Sequence, residues 1–256
     1  MANFITTELE EKPQGIVARV TLRNEKKLNT MNSAIIAEMD ETLQHLDDNP
    51  DVAVVVLTGA GEKAFVGGAN IEEMSKLTPD TARSFITALH HICHKARHLQ
   101  VPVIARINGY CLGAGMELAG ACDIVVAEPS ARFGMPEVRV GIPSVIDAAL
   151  LPHILGANLA RDLVMTGRLL TGEEAYTAGF VQRLAKEGGL DVATDQVIEE
   201  ILEGGRNAMR LQKKLCNEWE HNTLREGIQI GIDTFAESYE SDEPAVMMGH
   251  FLNRGR

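Results

Sequence analysis

Apolar residues in this chain change their spacing several times, and each change marks an element. Residues 15–23 (GIVARVTLR) alternate apolar and polar positions, the pattern of a half-exposed strand. Residues 31–46 (MNSAIIAEMDETLQHL) repeat at helical spacing, with Asn32 or Ser33 available as N-cap. Residues 51–61 (DVAVVVLTGAG) form a β-branched run closed by a glycine turn, which predicts a strand buried on both faces. A glycine-containing loop follows at 64–74 (AFVGGANIEEM), then a helix from about Pro79 to Leu99. Residues 101–110 (VPVIARINGY) predict the next strand, 113–122 (GAGMELAGAC) a short helix, and 123–133 (DIVVAEPSARF) one or two further strands. Beyond Pro143 the pattern is mostly helical, with caps or breakers at Gly156, Gly167, Thr171 and Gly188–Gly189. The expected organisation is a mixed α/β core over residues 1–190 followed by a helical region over 191–256.

Composition narrows the function classes. The chain has 256 residues, 45% hydrophobic and 23% charged, ordinary values for a globular enzyme. A formal net charge of -12 argues against a nucleic-acid partner, which calls for a basic face. It leaves room for a small anionic ligand, because a few local Lys or Arg residues suffice. No segment approaches eighteen uninterrupted apolar residues, so no membrane span is expected. The acidic N-terminal stretch resembles neither a secretory signal nor a transit peptide. Cys93, Cys111, Cys122 and Cys216 show no Cys-x-x-Cys spacing, which fits reduced thiols and a cytoplasmic location.

The phosphate loop of nucleoside triphosphatases, the dinucleotide-binding Gly-x-Gly-x-x-Gly and the Gly-x-Ser-x-Gly elbow are all absent from the sequence. His90, His94 and His98 recur every four residues and could share one helix face. Without an acidic neighbour in sequence they read as a solvated face, and no metal site is expected. Arg23, Lys26 and Lys27 follow the first strand closely. They fit a solvated turn and a small phosphate-binding pocket equally well.

One ionisable residue, Glu117, sits inside the apolar run of residues 113–120 (GAGMELAG). A buried carboxylate is costly unless it is paired, neutral or used for chemistry. The run follows a strand, so the N–H groups of Gly113, Ala114 and Gly115 fall in a helix's first turn, where donors lack intrahelical partners. Such donors can stabilise an oxyanion. Twenty residues on, Glu137 stands among apolar residues and turn formers (FGMPEVRVGIP). Two carboxylates beside an oxyanion hole suggest acid–base chemistry on a carbonyl compound. Structural pairing of Glu117 and Glu137 with Arg106, Arg132 or Arg139 is the competing reading, and the residues alone leave both open.

The stretch NGYCLGAGMELAGACDIVVAEPSARFGMPEVRVGIP resembles the signature region of the crotonase family, the enoyl-CoA hydratase/isomerase superfamily. FVGGANIEEM looks like that family's first oxyanion-hole segment, and RNEKKLNTMNS like its first CoA-contacting segment. The resemblance implies an α/β spiral of ββα units in two nearly perpendicular sheets. It also implies a helical C-terminal region that assembles trimers, often paired into hexamers. The backbone N–H groups of Ala69 and Ala114 would form the oxyanion hole. Glu117 would activate the water that attacks Cβ, and Glu137 would exchange the proton at Cα. Lys26, Lys27, Leu28, Gly67, Asn70, Ile71, Ser144 and Asp147 would contact the CoA thioester. The acyl-CoA is then the substrate, with no metal or redox cofactor.

The chain departs from the family pattern in three places. Ala114 stands where Gly is usual, and Asn70 replaces the common Asp, removing a charge near the thioester. Ser144, Val145, Ile146 and Asp147 replace small residues at the acyl end of the pocket, which predicts short, branched or polar acyl groups over long straight chains. Within the same fold the alternatives are a Δ3,Δ2-enoyl-CoA isomerase and a specialised 3-hydroxyacyl-CoA dehydratase. A non-catalytic binding protein of this fold is the alternative from another class.

Overall fold

The strands of the computed structural model, which describes residues 3–253, are β1 (Ile5–Lys12), β2 (Gly15–Leu22), β3 (Val52–Gly59), β4 (Ala64–Val66), β5 (Val103–Ile107), β6 (Tyr110–Leu112), β7 (Ile124–Ala127), β8 (Arg132–Gly134), β9 (Leu169–Thr171) and β10 (Arg183–Leu184). They form a six-stranded sheet in the order β1-β2-β3-β5-β7-β10 and a four-stranded sheet in the order β4-β6-β8-β9. Consecutive strands from β3 to β8 alternate between the two sheets, which winds the chain as a spiral of ββα units. Pairing in the large sheet is parallel except at the β1–β2 hairpin, and in the small sheet except at β8–β9.

Two expectations change here. The single strand expected over 101–110 is two short strands, because the chain turns at Gly109 (φ +145°) and passes from one sheet to the other. The expected loop over 64–74 contains β4 and one turn of helix, α2 below.

The helices before Pro143 are α1 (Ser33–Asp47), α2 (Ile71–Met74), α3 (Pro79–His98) and α4 (Ala114–Ala121). Asn32 caps α1 by accepting from Ile35 N. Thr78 and Thr81 cap α3 reciprocally, with Pro79 at its first position, where a missing N–H costs nothing. Strand β3 is buried on both faces, as its continuous apolar run predicts. Val55 and Leu57 face the core that holds α1 and α3, and Val54 and Val56 face the opposite layer.

The remaining helices are α5 (Leu151–Leu155), α6 (Ala157–Thr166), α7 (Gly172–Thr177), α8 (Leu190–Leu202), α9 (Arg206–His221), α10 (Leu224–Ser238) and α11 (Glu243–Asn253). Helix α8 supplies Val197, Ile198, Ile201 and Leu202 to the layer over Val54, Val56 and Ile104. Helix α8, which begins at Leu190, therefore packs into the core. Helix α9 is anchored by buried Lys213, whose ammonium donates to the carbonyls of Ala96 and Val101 and to Asp123. No helix among the described residues is long and apolar enough to cross a membrane.

Candidate active site

The loop after β4 is braced from behind. Gly67 N–H donates to Leu28 O at 2.9 Å, and Met31 N–H donates to Gly68 O at 3.0 Å. Asn70 N–H returns to Met31 O at 2.8 Å. Gly68 turns with φ +110°, a conformation that favours glycine. Ala69 lies between these anchors, and its N–H has no partner among the described residues.

Helix α4 faces that loop. Gly113 N–H donates to Gly134 O at 2.9 Å, so it is not the free donor that the sequence suggested. Ala114 N–H is the first donor without a partner among the described residues. A Cβ added at Gly115 would stand 2.8 Å from Val66 Cβ, so the first turn of α4 lies tight against β4. Ala69 and Ala114 thereby line one cavity of about 180 Å³.

Both candidate glutamates line the same cavity. Glu117, 4% exposed, points from the first turn of α4 and accepts from Ala148 N–H through Oε1 at 3.1 Å. Glu137 is half-buried on the 3-10 turn Glu137–Val140 and accepts from Ser144 Oγ through Oε2 at 2.7 Å. Its Oε1 lies over the start of α4, where a Cβ at Gly113 would collide with it. Each carboxylate therefore has one oxygen held by residues 144–148 and the other without a hydrogen-bond partner among the described residues.

The arginines that could have explained these glutamates structurally are engaged elsewhere. Arg106 pairs with Asp191 at 2.8 Å, Arg132 donates to Ser130 O at 2.7 Å, and Arg139 donates to Thr166 O at 3.3 Å. Burial pushes the Glu117 carboxyl up to about 8, against the pull of the Ala148 N–H. The charges of Glu137 and Asp147 push it the same way. Glu117 thus holds a proton more tightly than an ordinary glutamate, in a largely apolar wall.

Of the residues expected to contact substrate, Gly67, Ala69, Ile71, Ala114, Glu117 and Glu137 line the cavity, and Val145 joins them. Asn70 is turned away: its side chain caps α2 by accepting from Glu73 N–H at 2.9 Å. Ser144 is tied to Glu137, and Asp147 is tied to His90 Nδ1 at 2.8 Å. Neither Ser144 nor Asp147 is among the residues that line the cavity. Leu28 contributes its backbone carbonyl as the brace behind Gly67. Lys26 and Lys27 are exposed, and Lys27 Nζ pairs with Glu72 at 3.0 Å beside a separate groove.

The apolar wall also includes Met74, Ile86, Leu89, Ile142 and Pro143. Helical spacing marks Leu89 only as a buried position. Nothing local shows that it lines one cavity with Val145, so these wall residues were not legible in the sequence. The histidine row does not converge on one point. His94 stacks on His98 at 3.9 Å between ring centroids, while His90 turns to Asp147. An acidic partner does reach the row, supplied from 57 residues away.

Comparison with known proteins points one way. Residues 11–256 match the family model described as enoyl-CoA hydratase/isomerase. A short-chain-enoyl-CoA hydratase of Clostridium acetobutylicum is 31% identical over 242 residues, covering 94% of this chain and 93% of that one. A crotonyl-CoA hydratase of Syntrophomonas wolfei is 31% identical over 251 residues, covering 98% and 95%. The crystal structure of an enoyl-CoA hydratase from Bacillus anthracis superposes with a TM-score of 0.93 at 28% identity, covering 98% of this chain and 97% of that chain.

Proposed function

The chain belongs to the enoyl-CoA hydratase/isomerase family, and we propose that it interconverts a 2-enoyl-CoA and its 3-hydroxyacyl-CoA by means of Glu117 and Glu137. One observation carries this reading. Two carboxylates, each held by one oxygen, share a small apolar cavity with two backbone N–H groups that have no partner among the described residues.

In the elimination direction Glu137 takes the proton at Cα, and the electron pair forms the double bond as the Cβ–O bond breaks. The hydroxyl leaves as water with the proton held by Glu117. Hydration runs the same steps backwards, so Glu117 takes the proton of the attacking water and Glu137 returns one to Cα. Negative charge gathers on the thioester oxygen, and the N–H groups of Ala69 and Ala114 are the donors for it. Each is worth about 3 kcal/mol in comparable sites. The protons balance between two carboxylates, so the chemistry calls for no redox or metal group. Moving a proton between carbons can be done with one carboxylate, and the presence of two in one cavity favours the hydratase over the isomerase.

The CoA carrier is assigned to Lys26 and Lys27 by family resemblance. The Lys27–Glu72 pair is exposed, and exposed pairs contribute little, so it yields readily to a phosphate. The wall formed by Met74, Ile86, Leu89 and Val145, and a volume of about 180 Å³, support short or branched apolar acyl groups.

Helix α10 presents Leu224, Ile228, Ile232, Phe235 and Tyr239 to solvent at spacings of three and four residues. A continuous stripe of this kind marks an interaction face, and a second copy of the chain is assigned to it. This supports a homotrimer or homohexamer.

Loss of the enoyl-thioester absorbance of crotonyl-CoA in water tests the activity. Folded protein that binds the thioester without changing its absorbance would make this a binding protein instead.

A further inference from the structure

Residues 144–148 hold both glutamates, yet their backbone is unfavourable. Ile146 has φ +41°, a region that β-branched residues avoid. Such a conformation persists only where surrounding contacts impose it. Val145 on one side lines the cavity, and Ala148 on the other donates its N–H to Glu117. The same N–H also reaches Val145 O at 3.0 Å. Asp147, between Ile146 and Ala148, is 8% exposed. His90 Nδ1, at 2.8 Å, and the thiol of Cys93 are its side chain's hydrogen-bond partners, and His90 is the more exposed of the two. His90 directly follows Leu89, a wall residue of the cavity on α3.

We propose that His90 is a positioning residue for the hydration reaction: by holding Asp147 it fixes the strained turn at Ile146 and aims the Ala148 N–H at Glu117. A carboxylate as buried as Asp147 needs a charged or hydrogen-bonding partner, and the row of histidines supplies it. Without that anchor the turn relaxes, and Glu117 loses the donor that orients it.

The electrostatic surroundings agree with this role. Asp147 is faced by His90, His94, Cys93 and Arg97 of α3 and by Glu117 of α4. Arg97 is itself paired with Glu220. Glu117 is faced by Glu137 and Asp147, both of which raise its proton affinity. Asp147 thus acts on Glu117 twice, through the turn and through its charge.

The proposal rests on the hydratase reading, so wild-type protein is assayed first with crotonyl-CoA. Inactive wild type overturns that reading, whereas active wild type with indifferent variants overturns this one. His90→Ala is expected to lower kcat about tenfold or more with KM within about threefold, the pattern of lost orientation. His90→Asn, whose amide nitrogen takes the Nδ1 place, is expected to restore most of the rate. Asp147→Asn removes a like charge near Glu117, so the pH midpoint of kcat/KM for hydration should move down by about half a unit or more. Asp147→Asn is near-isosteric, which keeps the test open if His90→Ala fails to fold. His90→Ala within about twofold of wild type, His90→Asn as impaired as His90→Ala, or an unmoved midpoint in Asp147→Asn would each overturn the proposal.

Discussion

Ser144 Oγ lies 2.7 Å from Glu137 Oε2 and donates to it. A serine that sequence placed at the acyl end of the pocket is instead a tether for one of the two candidate carboxylates. A hydrogen bond to a charged group contributes about 1.5–3 kcal/mol, and here that energy orients rather than binds. Ser144→Ala is expected to lower kcat about tenfold with little change in KM, read by steady-state kinetics on crotonyl-CoA.

In the proposed reaction the two glutamates divide one task. Glu117→Gln and Glu137→Gln are each expected to lose about 10²-fold or more in hydration rate, the scale of one positioned acid or base. The double variant should fall well short of the product of the two losses, because the pair acts as a unit. Circular dichroism and CoA-thioester binding should remain close to wild type. Unfolding of Glu117→Gln would identify a structural carboxylate.

The raised Glu117 carboxyl gives stability a definite pH dependence. Its proton is held up to about 8 in the folded chain, against 4.5 for a free Glu side chain. The folded state binds the proton more tightly, so this stabilisation is full below about 4.5 and is lost as pH rises towards about 8. The loss across that window is on the order of 5 kcal/mol. Glu117→Gln should flatten the profile there and exceed wild type in stability above pH 8, measured by urea denaturation. In the elimination direction kcat/KM should fall above about 8, as the free enzyme loses its acid.

Gly113 joins β6 to α4 at φ +52° and leaves room for Glu137 Oε1. Gly113→Ala should therefore strain the turn by about 1–3 kcal/mol and displace the carboxylate. Activity is expected to fall further than the thermal midpoint would suggest, which parallel melting and turnover measurements would show.

The stripe on α10 predicts self-association. Light scattering should report a trimer or its double at micromolar concentration, and Ile232→Glu with Phe235→Glu should shift it towards monomer. A wild-type monomer would remove the assignment of a second copy to this face.

Local pattern determined much of this protein. The apolar run of β3, the Asn32 cap on α1 and the Thr171 cap on α7 follow from residue spacing and capping chemistry. So does the suspicion attached to Glu117, since a lone carboxylate in an apolar run is conspicuous without coordinates. Strand β1 was not visible, because all its residues after Thr6 are exposed and its pairing with β2 supplies the order. Only tertiary structure decided what the side chains of residues 144–148 face. Those residues lie in an irregular turn, where periodicity says nothing about direction, and Ile146 adopts a conformation its own preferences oppose. Packing against α3 and α4 sets that turn. The same packing sends Ser144 to Glu137, Asp147 to His90 and the Ala148 N–H to Glu117. These contacts span seven, 57 and 31 residues of sequence, and no local pattern encodes energies that exist only once distant elements meet.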